Sequence, residues 1–378
     1  MAGIALLAAA PAHADTLREA LAAAYRTNPT LESARASQRA TDENVPLEKA
    51  DGLPSIGGQA TYNEALKKSP NSFTSPDRTL NAQLSLSVPV YSGGAVKNSI
   101  AAAKVRVEAG QADLRATESS IFSQVVAAYM NVIMNEAIVS LNRNQVDVLG
   151  VNLQATSDRF EIGDLTRTDV AQSQARLALA QGDARTAEAN LASARENYIQ
   201  LVGKPPVDLQ PPPPLPNLPE TAAEAVDVAL ENNPDIIAAR ERAKAAEYDI
   251  NVAGSTRLPR VELYTSGAYL DYFGTLGGST GSAAFAQSET TAQAGVRATI
   301  PIFQGGFPAA LRRQAQARAS AAMENEIAAE RGVIAQARAA YSSWQAANEL
   351  IVSAQSAVDA ADLSLEGVRA ENSVGNRT

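Results

Sequence analysis

The chain has 378 residues, of which 45% are hydrophobic but only 5% aromatic, and its formal net charge is −9. That charge, with no basic stripe, argues against a nucleic-acid partner. With no cysteine and one histidine, His13, the chain excludes disulfides, thiol nucleophiles, Ser-His-Asp triads and nearly all zinc sites. It also lacks the glycine-lysine loop of Walker-type nucleotide sites; carboxylate-only metal sites and Ser-Lys chemistry stay open, but no convergent polar cluster stands out, so no catalytic, cofactor-binding or metal-ligating set is expected, and no enzyme.

Residues 4–10 (IALLAAA) followed by Ala12-His13-Ala14 read as the apolar run and cleavage site of a signal peptide covering 1–14. The rival reading is an apolar first helical turn. No run approaches the ~18 apolar residues of a membrane-spanning helix, so any membrane crossing is expected from strands. Asp15-Thr16 is an N-cap candidate for a helix carrying Leu17, Ala20, Leu21 and Ala24 at helical spacing. Pro29 is expected to interrupt or kink it, and a second helical stretch runs to Lys49. Alternation with period two predicts strands at about 54–64 and 80–91.

No proline occurs between Ala95 and Lys204, and strong helix formers dominate there. The pattern predicts a helical hairpin over about 95–201, with a tight turn near Glu161–Thr166. At ~1.5 Å per residue its first arm is roughly 100 Å long, which suits a coiled-coil wall or tube. Residues 204–220 (KPPVDLQPPPPLPNLPE) form a proline-rich linker, read as a tether in preference to a ligand for proline-reading domains. The same series then begins again over 221–378, with strands at about 258–270 and 291–303 and a long helix from about 305.

The second half is a copy of the first. Asn28-Pro29 recurs as Asn233-Pro234, 205 positions on (233 − 28), and Leu53-Pro54 recurs as Leu258-Pro259 at the same offset. Pro89-Val90-Tyr91-Ser92-Gly93-Gly94 returns as Pro301-Ile302-Phe303-Gln304-Gly305-Gly306, 212 on (301 − 89). Ala127-Ala128-Tyr129 returns at that offset as Ala339-Ala340-Tyr341, and Gly163 returns as Gly375. The 7-residue difference (212 − 205) places one insertion between the second pair of strands. Gly163 and Gly375, kept at one offset, are the hairpin-turn candidates. The first copy continues for 37 residues beyond the equivalent of Thr378 (203 − 166), so the second is expected to lack its returning helix, as in a truncated gene model or fragment.

Strands with one apolar and one polar face suit the staves of a membrane barrel, and equally a half-exposed soluble hairpin. Four strands cannot close a barrel alone, since about 8 is the minimum, so a membrane reading requires several chains. Tyr62 and Tyr269 would then sit in an aromatic girdle at the lipid boundary. Tyr129 and Tyr341 share a repeat position, which favours a structural role, and Trp344 reads as a packing anchor.

The duplicated Asn-Pro and Leu-Pro pairs, the two Pro-to-Gly-Gly junctions, and the segments Phe160-x-x-Gly163-x-x-x-x-Thr168-Asp169-Val170 and Ser373-Val374-Gly375-x-Arg377-Thr378 occur in one order, twice. In this the chain resembles the TolC-like outer-membrane efflux and type I secretion channel family. The resemblance covers Asp15 to Thr378. It implies a mainly α fold with membrane β: a long helical coiled-coil barrel plus four strands per chain in a trimeric 12-stranded barrel. It implies location in the cell outer membrane with a large periplasmic part. The role would be a passive exit duct, with a periplasmic adaptor and an inner-membrane RND or ABC transporter as partners besides its homotrimer and lipid. By motif, Asp169 and Arg377 are the periplasmic gate pair, while Asn372 stands where the family has a supporting tyrosine. A solvated helix-end charge is the plain alternative for each gate residue, and a non-channel periplasmic coiled-coil scaffold is the alternative for the whole chain.

Overall fold

Both Asn-Pro pairs turn out to start helices. The computed structural model describes residues 16–67, 75–277 and 284–373, so the expected signal peptide lies outside the described residues. Helix α1 (Leu17–Thr27) opens with a capping box: the Thr16 hydroxyl accepts from Glu19 N, and the Glu19 carboxylate accepts from Thr16 N. It ends at Asn28, whose side chain accepts from Thr30 N at 2.9 Å and so caps α2 (Pro29–Asp42). Pro29 is the first residue of α2 rather than a kink within one helix, since a proline costs nothing where no N–H partner exists. Asn233 and Pro234 do the same for α7 (Pro234–Ser255), the Asn233 side chain accepting from Asp235 N at 2.9 Å.

The remaining elements follow in order: α3 (Asn44–Ala50), β1 (Ser55–Glu64), β2 (Arg78–Tyr91), α4 (Ala95–Glu161), α5 (Arg167–Val202), α6 (Ala222–Asn232), then α7, β3 (Arg260–Asp271), β4 (Ser288–Thr299) and α8 (Phe307–Ser373). Helix α8 begins 212 positions after α4 (307 − 95), the offset of the repeat. Helix α5 ends on Gly203, a left-handed cap at φ +83° whose N–H donates to Ile199 O. The four strands form one antiparallel sheet in the order β1-β2-β3-β4. Strand β4 stops at Thr299, short of the expected 303. Beyond Thr299 the β3 partner chain has run out at Arg260, and Pro301 has no N–H to offer a ladder.

The chain divides into two compact units that cut across the sequence copies. One holds the residues up to Ser37 together with Asp113–Glu220. Its core joins Ala20, Ala24 and Leu31 to Ile121, Val125, Ala128, Tyr129 and Val132 of α4 and to Tyr198 and Val202 of α5. Small alanines let these helices approach closely around the two tyrosines, whose ring centroids lie 6.4 Å apart. The proline-rich segment is fastened to this core: Leu209 is buried in it, and the Tyr129 hydroxyl donates to Gln210 O at 2.6 Å.

The other unit holds Gln38–Ala112 and the residues from Thr221 on. It contains the whole sheet, because strands from both copies complete each other's backbone hydrogen bonds. Helix α7 packs along α8, and Arg240 reaches Glu326 across that contact. Helix α4 contains one 18-residue window apolar enough, by length and composition only, to cross a membrane, against the sequence expectation of none. The same helix supplies Ile121, Val125 and Val132 to the packed core of the first unit.

Candidate functional site: channel wall and hairpin turn

The register gives the sheet two chemically distinct faces. Ala60, Ala82, Tyr269 and Thr290 are cross-strand neighbours on one, and the next rows on that side are Gly58, Leu84, Gly267, Ala292 and then Ile56, Leu86, Thr265, Ala294. Among the described residues nothing covers this side: Ile56 is 73% exposed and Val296 65%. The opposite face carries Gln59, Gln83 and Thr291 in one row and Ser85, Ser266 and Gln293 in the next. Strands of 10 to 14 residues are long enough to cross an apolar band about 25 Å tall.

At the end of the sheet nearest the helices, the polar face is organised by charge. The Arg297 guanidinium donates to Glu262 across β3 and β4 at 2.7 Å, and the Ser87 hydroxyl donates to the same carboxylate at 3.2 Å. Arg297 also lies over the Tyr264 ring, 4.8 Å from its centroid. The ring occupies the place of the missing side chain at Gly295, where a Cβ would come within 3.0 Å of it. Period-two alternation along β3 and β4 puts Glu262 and Arg297 on the polar face, and the register sets them opposite each other. At the other end, the Tyr269 hydroxyl donates to Asp271 and that of Tyr62 to Glu64, while Tyr62 stands edge-on to Phe273 at 6.0 Å.

The hairpin turn between α4 and α5 is held by backbone geometry and two short polar contacts. Gly163 sits at φ +84° and donates its N–H to Phe160 O, a conformation that favours glycine. The Arg159 guanidinium and Asp164 carboxylate close the loop at 2.7 Å. Asp169 is the third residue of a capping box: its carboxylate accepts from Thr166 N at 2.8 Å and Thr166 Oγ1 at 2.7 Å. Those bonds hold the Asp169 carboxyl below its ordinary range, the Thr166 hydroxyl contributing most. Arg377 and Gly375 lie outside the described residues, so the structure brings neither to Asp169.

Above the turn, two ion pairs link α4 to α5: Arg143 to Glu188 at 2.7 Å and Arg195 to Glu136 at 2.8 Å. Glu188 also takes Arg185 at 3.0 Å, and the Arg143 and Arg185 hydrogen bonds keep its carboxyl below the usual range. Sequence reasoning missed these pairs. The signal was present, because both are centred on the same point between Leu165 and Thr166, as partners in a hairpin must be. Tyr129 is fully buried, whereas its repeat mate Tyr341 is half-buried and meets Trp344 at a tilt of 51°, with ring centroids 5.5 Å apart.

Comparison with known proteins decides what this wall and turn belong to. The family model described as "Outer membrane efflux protein" matches residues 20–204 and 225–378. The chain belongs to the outer membrane efflux protein family. It is 32% identical to the outer membrane efflux protein BepC of Brucella suis, over 96% of this chain and 77% of that protein. To the outer membrane protein TolC of Vibrio cholerae it is 26% identical, over 97% of this chain and 82% of that one. Its fold matches the solved outer membrane protein VceC of Vibrio cholerae with a TM-score of 0.73 at 20% identity, covering 96% of this chain and 87% of that one. The protein is therefore an outer-membrane exit duct, a passive channel and not an enzyme, with a large helical periplasmic part. As a member of this TolC-like family it works within tripartite efflux or secretion systems.

Proposed function

We propose that three copies of this chain close a 12-stranded barrel, continued by a helical tunnel whose mouth is gated at the hairpin turns. The observation that carries the proposal is the pair of open sheet edges. Strands β1 and β4 each have a partner on one side only among the described residues, and unpaired backbone in lipid is forbidden. Three chains of four strands leave room for water, whereas two would give a barrel just wide enough for side chains to fill.

The repeat supplies the register of the missing seam. Strand β2 pairs with β3 inside the chain; by the two offsets, β4 of one copy should pair with β1 of the next in the same way. Leu86 opposite Thr265 then becomes Ala298 (86 + 212) opposite Ala60 (265 − 205). Both residues lie on the apolar face, so the seam keeps the two faces continuous around the ring. The exposed stripe Val126, Met130, Met134 and Ile138 on α4 supports lateral packing of the helices in the same assembly.

The chain has no native cysteine, so Ala60→Cys with Ala298→Cys places the only two thiols at the proposed seam. Mild oxidation of cell envelopes should yield covalent dimers and trimers of the chain. Gln59→Cys with Ala298→Cys, on opposite faces, should yield few. Equal yields from both pairs, or only monomers, would remove the seam.

Within the same reading, Asp169 and Arg377 form the gate pair, an adaptor docks on the tunnel, and an inner-membrane RND or ABC transporter supplies the energy. A capping carboxylate already satisfied by Thr166 can hold a second, mobile hairpin by a charge-assisted bond and release it at little cost.

A further inference from the structure

Just below the sheet, a cleft of about 530 Å³ opens between the end of α7 and the start of α8. Arg257, Arg312 and Arg313 line it, with Gln316, Gly254 and Gly306, and no carboxylate contributes to its wall. All three arginines are exposed, and none has an ion-pair or hydrogen-bond partner among the described residues. In a chain of net charge −9, with 41 acidic residues, three unpaired guanidiniums around one cleft are not a consequence of composition.

The first copy shows that the scaffold does not need them. By the repeat offsets, Arg257 corresponds to Gly52, Arg312 to Ile100 and Arg313 to Ala101. There, Gly52 packs directly on Val96, with a notional Cβ only 3.0 Å from its Cγ1. The same helix-end and helix-start are thus closed by apolar contact in one copy and left open and basic in the other.

Position supplies the ligand class. Arg257 precedes the first residue of β3 by three positions, and Arg312 and Arg313 lie in the second turn of α8. The cleft therefore stands at the level where membrane strands give way to periplasmic helices. Basic pockets at such a boundary suit phosphate-bearing lipid headgroups, and guanidinium forks match phosphate oxygens in pairs. We propose that this cleft binds the headgroup phosphate of an anionic phospholipid in the periplasmic leaflet. The proposal rests on the sheet being the membrane-spanning part, and not on the number of chains in the ring.

The test uses the full chain in dodecyl maltoside micelles doped with phosphatidylglycerol or phosphatidylcholine, with bound lipid read by native mass spectrometry and affinity by titration. Phosphatidylglycerol should be retained, and each Arg→Gln change at 257, 312 or 313 should weaken it about fivefold, so that the triple variant loses about a hundredfold. The pair Arg318→Gln and Arg331→Gln removes two exposed charges elsewhere on α8 and should change nothing. If the triple variant does not assemble, Arg312→Gln alone carries the comparison. Wild-type affinity in the Arg variants, or an equal loss in the α8 control pair, would overturn the site. Displacement of phosphatidylglycerol by equimolar inorganic phosphate would overturn the lipid as its ligand. Failure of the seam cross-link with these lipid results intact would count against the trimer alone.

Discussion

The two strand-to-helix junctions are written in nearly the same residues and adopt the same backbone, yet they end in different surroundings. Gly93 and Gly94 lie at φ +63° and +81°, Gly305 and Gly306 at +58° and +82°. In the first copy β2 runs on to Tyr91, and the turn packs so tightly that a Cβ on Gly93 would sit 2.8 Å from Leu258 Cβ and 3.0 Å from Ser255 O. In the second copy β4 stops at Thr299, Ile302 and Phe303 are 96% and 88% exposed, and a Cβ on Gly305 would meet nothing. The turn is a local property; the strand end and its cover belong to whatever lies alongside. The residue equivalent to Leu258 is Leu53, itself 59% exposed, so in the proposed ring a neighbouring copy's Leu53 would cover the second junction.

The largest expected effect tests whether the copies differ in cover throughout. Tyr129 is fully buried and bonded to Gln210 O, so Tyr129→Ala should cost about 3–5 kcal/mol of unfolding free energy. Tyr341, at the same repeat position, is half-buried against Trp344, and Tyr341→Ala should cost roughly half as much or less. Denaturant unfolding of both variants checks this. Equal losses would mean that Tyr341 is also enclosed, by chain outside this single copy.

Next in size is the glycine pair itself. Gly93→Ala combines a left-handed φ with overlap on Leu258 and should cost about 1–3 kcal/mol whether or not the chain assembles. Gly305→Ala should cost about 1 kcal/mol in a lone chain, from φ alone. In the assembled protein it should lower the heat stability of the oligomer as much as Gly93→Ala does. Heat-modifiability on gels separates the two contributions: an oligomer indifferent to Gly305→Ala would mean that no neighbour packs there.

The same contrast explains what could be read from residues alone. Helix lengths were legible because the proline-free stretches and the Gly-Gly junctions act locally, and the Gly163 turn because its φ of +84° suits few other residues. The alternation of Ile56 to Tyr62 and of Ala292 to Ala298 fixed which residues share a face. The end of β4 was not legible, because Ile300 and Ile302 continue the alternation while strand state also needs a partner's backbone. The break at Glu43 between α2 and α3 carries a local signal, since Thr41, Asp42, Asn44 and Val45 around it are weak helix formers and Pro46 is placed where only a new first turn tolerates it. The paired Glu262 and Arg297 lie 35 residues apart, and Arg257 lies 55 from Arg312 (312 − 257), so the pair and the three-arginine cleft needed the register and the packing.

The smallest effect is at the hairpin turn, where the copies cannot be compared directly and variants must stand in for the comparison. Thr166→Ala removes the hydroxyl that caps α5 but leaves the Asp169 charge, at a cost of about 0.5–2 kcal/mol of local helix stability. Asp169→Ala removes both the reciprocal bond and the charge. If Asp169 only caps the helix, both variants should speed amide exchange over Arg167–Val170, and both should leave the closed-state current in planar bilayers unchanged. If it also latches a second hairpin, Asp169→Ala alone should raise that current. The pH dependence has a fixed sign. The Asp169 carboxyl is held below its ordinary value in the folded state, so its contribution is complete above the unfolded value and fades as pH falls through the folded one. Protection of the first turn of α5 should therefore drop only in acid, below the ordinary carboxylate range, and in Thr166→Ala that drop should shift upward towards it. A latch would add a rise in closed-state current over the same acidic interval, because protonation removes the charge that Arg377 would hold.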